Sequence, residues 1–411
     1  VVASDAFAPQ LAHALELAEH DPLVRACVGV HIPGWVPWSD LLHSTRSLDD
    51  VPDDEHACHE IVFTSGTTGP PKGAMRSQRK RVLEAYLSAL TWQMTGDDHL
   101  LMLGPQFHIG GPATPCQVLF QGGVVSVVDF EPLAVAEAID RGVTFVSGVP
   151  THFTSLWESG VLAGHDTSRV TACKLGGSSA PTAMFERVAA LFPAAAVCSG
   201  YGMTETGPHT LGIRGVQPGQ RGILGRPIVG NELRIVDDEG NPIGDDEVGE
   251  LQLRGEFVFD GYYGQPELTA AAFTDGWFRT GDLVRRAADG VHYLAGRAKD
   301  MIISGGENVY PTEVEDVIAA CPGVAEVAVF GVADDLYVER VVAAVRLDPT
   351  NPVTIADIER AVRTRLAGFK CPREFRLLDE LPRTGSGKIA KDQLRAIFEA
   401  TDERRSRGVP T

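Results

Sequence analysis

Residues Phe63-Thr64-Ser65-Gly66-Thr67-Thr68-Gly69-Pro70-Pro71-Lys72-Gly73 combine an apolar strand end with hydroxyls, glycines and one lysine. Each type has a use beside an anion. Glycine lets the backbone come close, hydroxyls and N–H groups donate, and Lys72 supplies charge. The spacing is not that of a Walker loop. Pro71 stands where glycine should precede the lysine, and Gly73 replaces the Mg²⁺-binding hydroxyl. Pro70-Pro71 also blocks an immediate helix start. The stretch is therefore read as a phosphate-gripping loop of another kind. A second lysine, Lys388, follows Gly385-Ser386-Gly387. Lysines are ordinarily just solvated, but three small residues before this one make a flexible arm. Two other features are set aside. His56-Ala57-Cys58-His59 lacks the second ligand pair a structural metal needs. Gly200-Tyr201-Gly202 is too short for a dinucleotide fingerprint and has no acidic residue at the required interval.

Positioning these residues requires a scaffold, and the apolar pattern supplies one. From Ile61 onward, apolar runs (Ile61–Phe63, Leu100–Leu103, Val124–Val128, Thr144–Val149, Ala195–Val197) alternate with helical stretches at Ser77–Gln93, Pro132–Arg141, Thr151–Ser159 and Thr182–Leu191. Such alternation predicts βαβ crossovers and a mostly parallel, buried sheet. Past Gly222 short strands broken by Gly, Pro and Asp turns predict a small antiparallel sheet or barrel. From about Arg297 strands and helices alternate again, an α+β unit of roughly 110 residues. The fold class is α/β: a large α/β/α domain with a β-rich subdomain, followed by an α+β domain.

Composition narrows the function. Of 411 residues, 36 are Lys or Arg and 55 Asp or Glu, a formal charge of −19, which argues against a nucleic-acid partner. No apolar run reaches the roughly 18 residues of a membrane span. The seven cysteines are scattered without a Cys-x-x-Cys pair, which fits a reducing, cytoplasmic setting.

Together the phosphate loop and several downstream motifs resemble the adenylate-forming superfamily of acyl-CoA synthetases, luciferase-like enzymes and peptide-synthetase adenylation domains. Tyr201-Gly202-Met203-Thr204-Glu205-Thr206 resembles the motif in which tyrosine stacks on adenine, threonine holds the α-phosphate and glutamate contacts Mg²⁺. Gly176-Gly177-Ser178-Ser179-Ala180-Pro181 resembles the loop beside the adenine and acyl pocket, and Asp282 in Thr280-Gly281-Asp282 the carboxylate that receives the ribose hydroxyls. Arg297 resembles its neighbour at ribose and phosphate, and Lys388 the catalytic lysine that bridges carboxylate and α-phosphate. His108, in Pro105-Gln106-Phe107-His108, matches an aromatic position beside the acyl carboxylate. Amino-acid-activating members have Asp there, so His108 favours an acid without an α-amine.

The resemblance implies catalytic roles for Lys388, Thr204, Glu205 and His108. It implies nucleotide contacts at Thr64, Ser65, Gly66, Thr67, Thr68, Lys72, Gly177, Ser178, Ser179, Ala180, Tyr201, Gly202, Asp282 and Arg297, and a pantetheine passage at Gly305-Gly306. Glu205 and Thr64 are the implied Mg²⁺ ligands. The implied domains are 1–298 and a mobile 299–411 with a hinge at Lys299, and ATP, Mg²⁺ and coenzyme A are the implied cofactors. The expected activity joins a carboxylic acid, of medium or long aliphatic chain because Gly177, Gly200 and Val146–Val149 leave room, to coenzyme A through an acyl-adenylate. The alternatives are transfer to a carrier protein, or an inactive truncated paralogue that only binds ligand; homodimerisation stays open. Two departures stand out. Family members usually carry roughly 100 more residues before the phosphate loop, so the chain is expected to be a fragment or to be completed by another segment. Tyr337-Val338-Glu339 stands where the family generally has Trp-Gly-Glu, and a β-branched residue is poor where glycine supplies unusual dihedrals.

Overall fold

The computed structural model describes residues 2–19, 22, 24–29, 32–43, 54–64, 71–178, 180–217, 219–220, 222–334, 336–384 and 388–406. They fall in two compact units, 1–54 and 55–411, a division that does not coincide with the boundary expected near 298. The first unit holds β1 (Val2–Ser4), α1 (Ala8–Leu17), β2 (Ala26–Val28), β3 (Val36–Pro37) and α2 (Trp38–Leu42). Its three strands pair in parallel around Ala8, Cys27 and Trp35.

The second unit opens with a hairpin, β4 (Cys58–Thr64) and β5 (Lys72–Ser77), whose last pair joins Thr64 to Lys72. The next described element after β4 is a strand and not a helix, which separates it from a Walker arrangement. There follow α3 (Gln78–Trp92), β6 (His99–Met102), α4 (Gly110–Leu119), β7 (Val124–Val127), α5 (Pro132–Asp140), β8 (Phe145–Gly148), α6 (Pro150–Ser159), β9 (Ala172–Gly176), α7 (Thr182–Leu191) and β10 (Ala196–Met203). The strands β7-β6-β8-β9-β10 are all parallel. Leu100, Leu101, Phe145, Val146, Ala172 and Cys173 are fully buried because helices cover both faces. α3 and α4 lie on one side around Trp92, and α5, α6 and α7 on the other around Phe153, Phe185 and Val188. Local signals set the helix ends: the Ser77 hydroxyl caps α3, and α6 starts at Pro150 and stops at Gly160 with φ +61°. The chain passes from β6 to β7 on one side and then back to β8 on the other. The strand order therefore reverses between β6 and β8, and the carboxyl edge at such a switch point is the usual ligand position in these sheets.

Next come β11 (Gly207–Arg214), β12 (Ile223–Pro227), β13 (Asn231–Val236), β14 (Val248–Gly255), β15 (Gly261–Tyr262), α8 (Pro266–Ala271), β16 (Phe273–Thr274), β17 (Trp277–Arg286) and β18 (His292–Arg297). Among the described residues these antiparallel strands form no separate barrel. They extend the parallel ladder from β10 through β11, β12, β18, β17 and β14 to β13, while β15 adds to the β4–β5 hairpin. One hydrogen-bonded sheet thus carries both walls of the cleft.

The last stretch has β19 (Ile302–Ser304), β20 (Glu307–Val309), α9 (Pro311–Ala319), β21 (Val324–Asp334), β22 (Val338–Leu347), α10 (Ile355–Arg365), β23 (Glu374–Leu377) and α11 (Lys391–Ser406). Its sheet, ordered β20-β19-β22-β21 with β23 on β22, is covered by α9 and α10 on one face and α11 on the other. This small lobe meets the larger one at polar points. Arg346 pairs with Glu158 at 2.9 Å, and the Thr312 hydroxyl donates to the Ala295 carbonyl.

Candidate active site

β10 leads out of the sheet core into Tyr201, and β17 and β18 come alongside in a register that pairs Asp282 with Arg297. The Tyr201 hydroxyl donates to Asp282 Oδ2 at 2.7 Å, Arg297 Nε lies 3.0 Å from Oδ1, and the Asp282 amide donates to the Thr280 hydroxyl. Asp282 is 3% exposed. Burial raises its pKa, opposed by the Arg297 charge, the Tyr201 hydroxyl and the more distant Lys388. Tyr201 is pushed higher by burial and by the same carboxylate, so it stays a donor. Thr280, Gly281, Arg297, Ala298 and Lys299 line a concavity at this point.

Thr204 and Glu205 sit on the single 3₁₀ turn Thr204–Thr206 after β10. The turn is braced by Thr206, whose hydroxyl accepts from the Met203 amide. Gly202 has no alternative here, because a Cβ on it would lie 2.1 Å from the Gly207 carbonyl oxygen. Glu205 Oε1 accepts from the Tyr262 hydroxyl at 2.8 Å, and Lys72 Nζ lies 5.4 Å from the centre of the Tyr262 ring. Tyr262 therefore ties Glu205 to the Thr64–Lys72 end of the hairpin. Reading the sequence missed it: Tyr262 counted only as a strand residue. Its contact is with a residue 57 positions away, and no local pattern announces it.

His108 lies in the β6–α4 loop, past the carboxyl end of β6. Its ring packs on Phe107 at 4.5 Å and its Nε2 is buried without a hydrogen-bond partner among the described residues. Burial lowers its pKa, and repulsion from Lys388 lowers it further. Lys388, arriving from the small lobe, is thus within electrostatic reach of both His108 and Asp282. Its side chain keeps an open face to water, but the cleft walls desolvate the ammonium enough to lower its pKa. Arg297 adds to that lowering and Asp282 opposes it.

The other expected residues divide. Gly177 takes φ +79° beside Val149, with Ser178 exposed and Ala180 buried. Ser65, Gly66, Thr67, Thr68 and Ser179 lie outside the described residues. Gly305 and Gly306 form the β19–β20 turn in the small lobe, where the Gly305 amide donates to the Tyr337 carbonyl at 2.8 Å. Val338, next to that carbonyl, has φ +68°. A left-handed conformation costs an L-residue roughly 1–2 kcal/mol, and a β-branched one has least freedom to take it. Val338→Gly is expected to raise the free energy of unfolding by about 1 kcal/mol, after the extra backbone entropy of glycine is subtracted. A urea midpoint unchanged or lowered in that variant would contradict the strain.

A cleft walled by a doubly wound sheet, with an ammonium delivered from a second lobe, marks a two-lobed nucleotide-dependent enzyme. The comparisons agree. The AMP-binding enzyme family matches residues 2–263, and the AMP-binding enzyme C-terminal domain matches residues 313–388. The feruloyl-CoA synthase of an Amycolatopsis species is 35% identical over 403 residues, covering 95% of this chain and 82% of that protein. The indoleacetate–CoA ligase of Aromatoleum aromaticum is 34% identical, covering 89% and 72%. The crystal structure of ATP-bound MatB from Rhodopseudomonas palustris superposes with a TM-score of 0.85 at 29% identity, covering 97% of this chain and 78% of MatB. The chain belongs to the AMP-binding enzyme family. It is an ATP-dependent, AMP-forming acid–thiol ligase.

Proposed function

We propose that this ligase is an acyl-CoA synthetase that works in two half-reactions. A carboxylate attacks the α-phosphorus of ATP, giving acyl-adenylate and pyrophosphate. The coenzyme A thiol then attacks the acyl carbon, giving thioester and AMP. The observation that carries the reading is the match to the AMP-binding enzyme family over both residues 2–263 and 313–388, together with the Tyr201–Asp282–Arg297 contacts. Asp282 and Arg297 are proposed to hold the ribose, Tyr201 and the Gly177–Ala180 loop the adenine, and Thr204 with the Thr64–Lys72 loop the phosphates. His108 offers the unpartnered Nε2 to the acyl carboxylate. Lys388 balances the charge that moves onto the bridging oxygen and the α-phosphate.

Mg²⁺ fits the donor set. It is usually bound by one or two carboxylates plus phosphate oxygens. Glu205 presents one carboxylate oxygen to Tyr262 and leaves Oε2 without a protein donor among the described residues. Glu205 and Thr64 would hold the ion, which neutralises phosphate charge. Tyr262 would fix the carboxylate's direction. Tyr262→Phe removes a hydrogen bond to a charged group, so pyrophosphate release is expected to fall about tenfold at limiting Mg²⁺ and to recover partly as Mg²⁺ is raised. An unchanged Mg²⁺ titration would remove Tyr262 from this role.

Residues 1–298 and 299–411 are proposed as the two functional domains. Rotation about Lys299 would exchange Lys388 for the Gly305-Gly306 face in the second half-reaction. A cytoplasmic setting fits seven scattered thiols. Small residues alone would favour a medium or long aliphatic acid. Val146, however, is fully buried in the core on the α5–α7 side. A Cβ on Gly200 would face Trp92 and His209 at 3.4 Å. Both features weaken the case for a long apolar slot.

The test is pyrophosphate release from ATP with a panel of aliphatic, aryl and substituted acids, followed by mass detection of the thioester. No release with any acid would overturn the ligase reading. An acyl-adenylate that discharges onto a phosphopantetheinyl carrier but not onto coenzyme A would replace the acceptor.

A further inference from the structure

Lys174 lies inside β9, 4% exposed. Its Nζ is 3.2 Å from the Thr114 hydroxyl, touches His209 Nε2, and faces the Trp92 ring at 5.6 Å. No carboxylate among the described residues forms an ion pair with it. Glu84, the carboxylate whose field reaches it, is engaged by Arg76 and Arg81. A buried ammonium without an anion is costly, and burial lowers this one to about 7.

The surrounding protons do not close either. His209 Nδ1 lies 2.7 Å from Gln117 Nε2. If that amide donates, His209 carries its proton on Nε2 and faces Lys174 donor to donor unless the amine is neutral. If Lys174 is charged and donates, His209 is protonated on Nδ1 and the amide must turn, which leaves Gln117 Nε2 unmet. In the first case Gln117 Oε1 has no partner, as the structure has it. The indole Nε1 of Trp92 also lacks one. Thr114, Gln117, His209 and Trp92 are all at most 2% exposed. The cluster is rich in donors and has no anion.

It also sits on the two elements that flank the proposed acyl site, β9 before the Gly177–Ala180 loop and α4 after the His108 loop. Lys174 and Gly176 share a face of β9, two residues or about 7 Å apart. Among the described residues, only the Gly200 backbone lies within 4 Å of where a Cβ on Gly176 would stand. On the neighbouring element, Thr114 lies four residues into α4, the helix that the His108 loop leads into, a rise of about 6 Å from its first residue.

We propose that Lys174, with Thr114 and His209, is the far end of the acyl site and selects a carboxylic acid bearing a second oxyanion several carbons from the activated carboxylate. The inference rests on the ligase reading above. An oxyanion there accepts from Lys174 and from an amide or indole N–H, so the ammonium stays charged and the open valences are filled.

The experiment compares pyrophosphate release by the wild-type chain with acids matched in length: an α,ω-dicarboxylate, its monomethyl ester, an ω-sulfonate and the plain monocarboxylate, from four to eight carbons. A hydrogen-bonded charge pair in a buried site predicts kcat/KM about 10–100-fold higher for a dianionic acid than for the monocarboxylate of equal length. In Lys174→Met that ratio should collapse toward one. Should that variant fail to fold, Thr114→Val should lower the ratio, and the wild-type ratio already decides. Preference for the plain monocarboxylate or methyl ester at every length overturns the proposal and leaves the ligase intact. Release with no acid of any kind overturns the ligase reading, and this proposal with it.

Discussion

Replacing Lys388 with alanine lowers the rate of acyl-adenylate formation by about 10²–10³, the loss found when one preorganised electrostatic donor is taken from a transition state. The expectation follows from position. The Lys388 ammonium sits in a desolvating cleft between Arg297, which repels it, and Asp282, which attracts it. It is also close enough to depress His108. Its charge therefore acts where a carboxylate and the α-phosphate would meet, in a medium that screens less than water. Thioester formation from supplied acyl-adenylate should change far less, because the proposed rotation removes Lys388 from that step. Pyrophosphate exchange and acyl transfer measured separately give both numbers. Equal rates of exchange in wild type and Lys388→Ala would remove the lysine from catalysis.

Glu84→Ala is expected to cost about 3–5 kcal/mol of stability, the range for breaking a buried ion pair by removing one partner. Arg76 and Glu84 are fully buried and Arg81 is 3% exposed. Glu84 Oε2 takes Arg76 at 2.9 Å and Arg81 at 3.0 Å, while Arg76 also donates to the Phe257 carbonyl. Removing the carboxylate leaves two guanidiniums in the interior, with the part-buried Glu60 the ion-pair partner that remains among the described residues. The damage would not stay local. Gly207 has φ +77° and its bare Cα faces Glu84 Oε1, so the cluster supports the turn that carries Thr204 and Glu205. Denaturant unfolding of the two proteins measures the loss, and a difference below about 1 kcal/mol, the size of an exposed pair, would show the cluster to be dispensable.

Much of the scaffold was legible because burial on both faces leaves a plain mark. The apolar runs at Leu100, Val124 and Phe145 became β6, β7 and β8, and Thr182–Leu191 became α7 with the bounds its pattern suggests. α4 left no such mark. It contains Gly110, Gly111, Pro112 and Pro115, which read as breakers. Gly111 is required there by tertiary approach, since a Cβ on it would lie 2.4 Å from Gln106. At the site, motif residues such as Tyr201 and Asp282 could be named in advance, but their 2.7 Å hydrogen bond depends on strands 81 residues apart. Tyr262 was invisible for the same reason. Lys174 did carry a signal, a lone charge in the run Ala172-Cys173-Lys174-Leu175, but that run was not among the strands expected from the sequence.

The pairing of Arg346 with Glu158 across the two lobes has a further consequence. Glu158 is about half exposed, and an exposed ion pair contributes only about 0–1 kcal/mol while answering to dissolved electrolyte. Any turn of the small lobe about Lys299 must part these two side chains. If the proposed rotation operates, added salt would loosen the orientation that brings Lys388 in, and the balance between the two proposed orientations would depend on the buffer as well as on ligands.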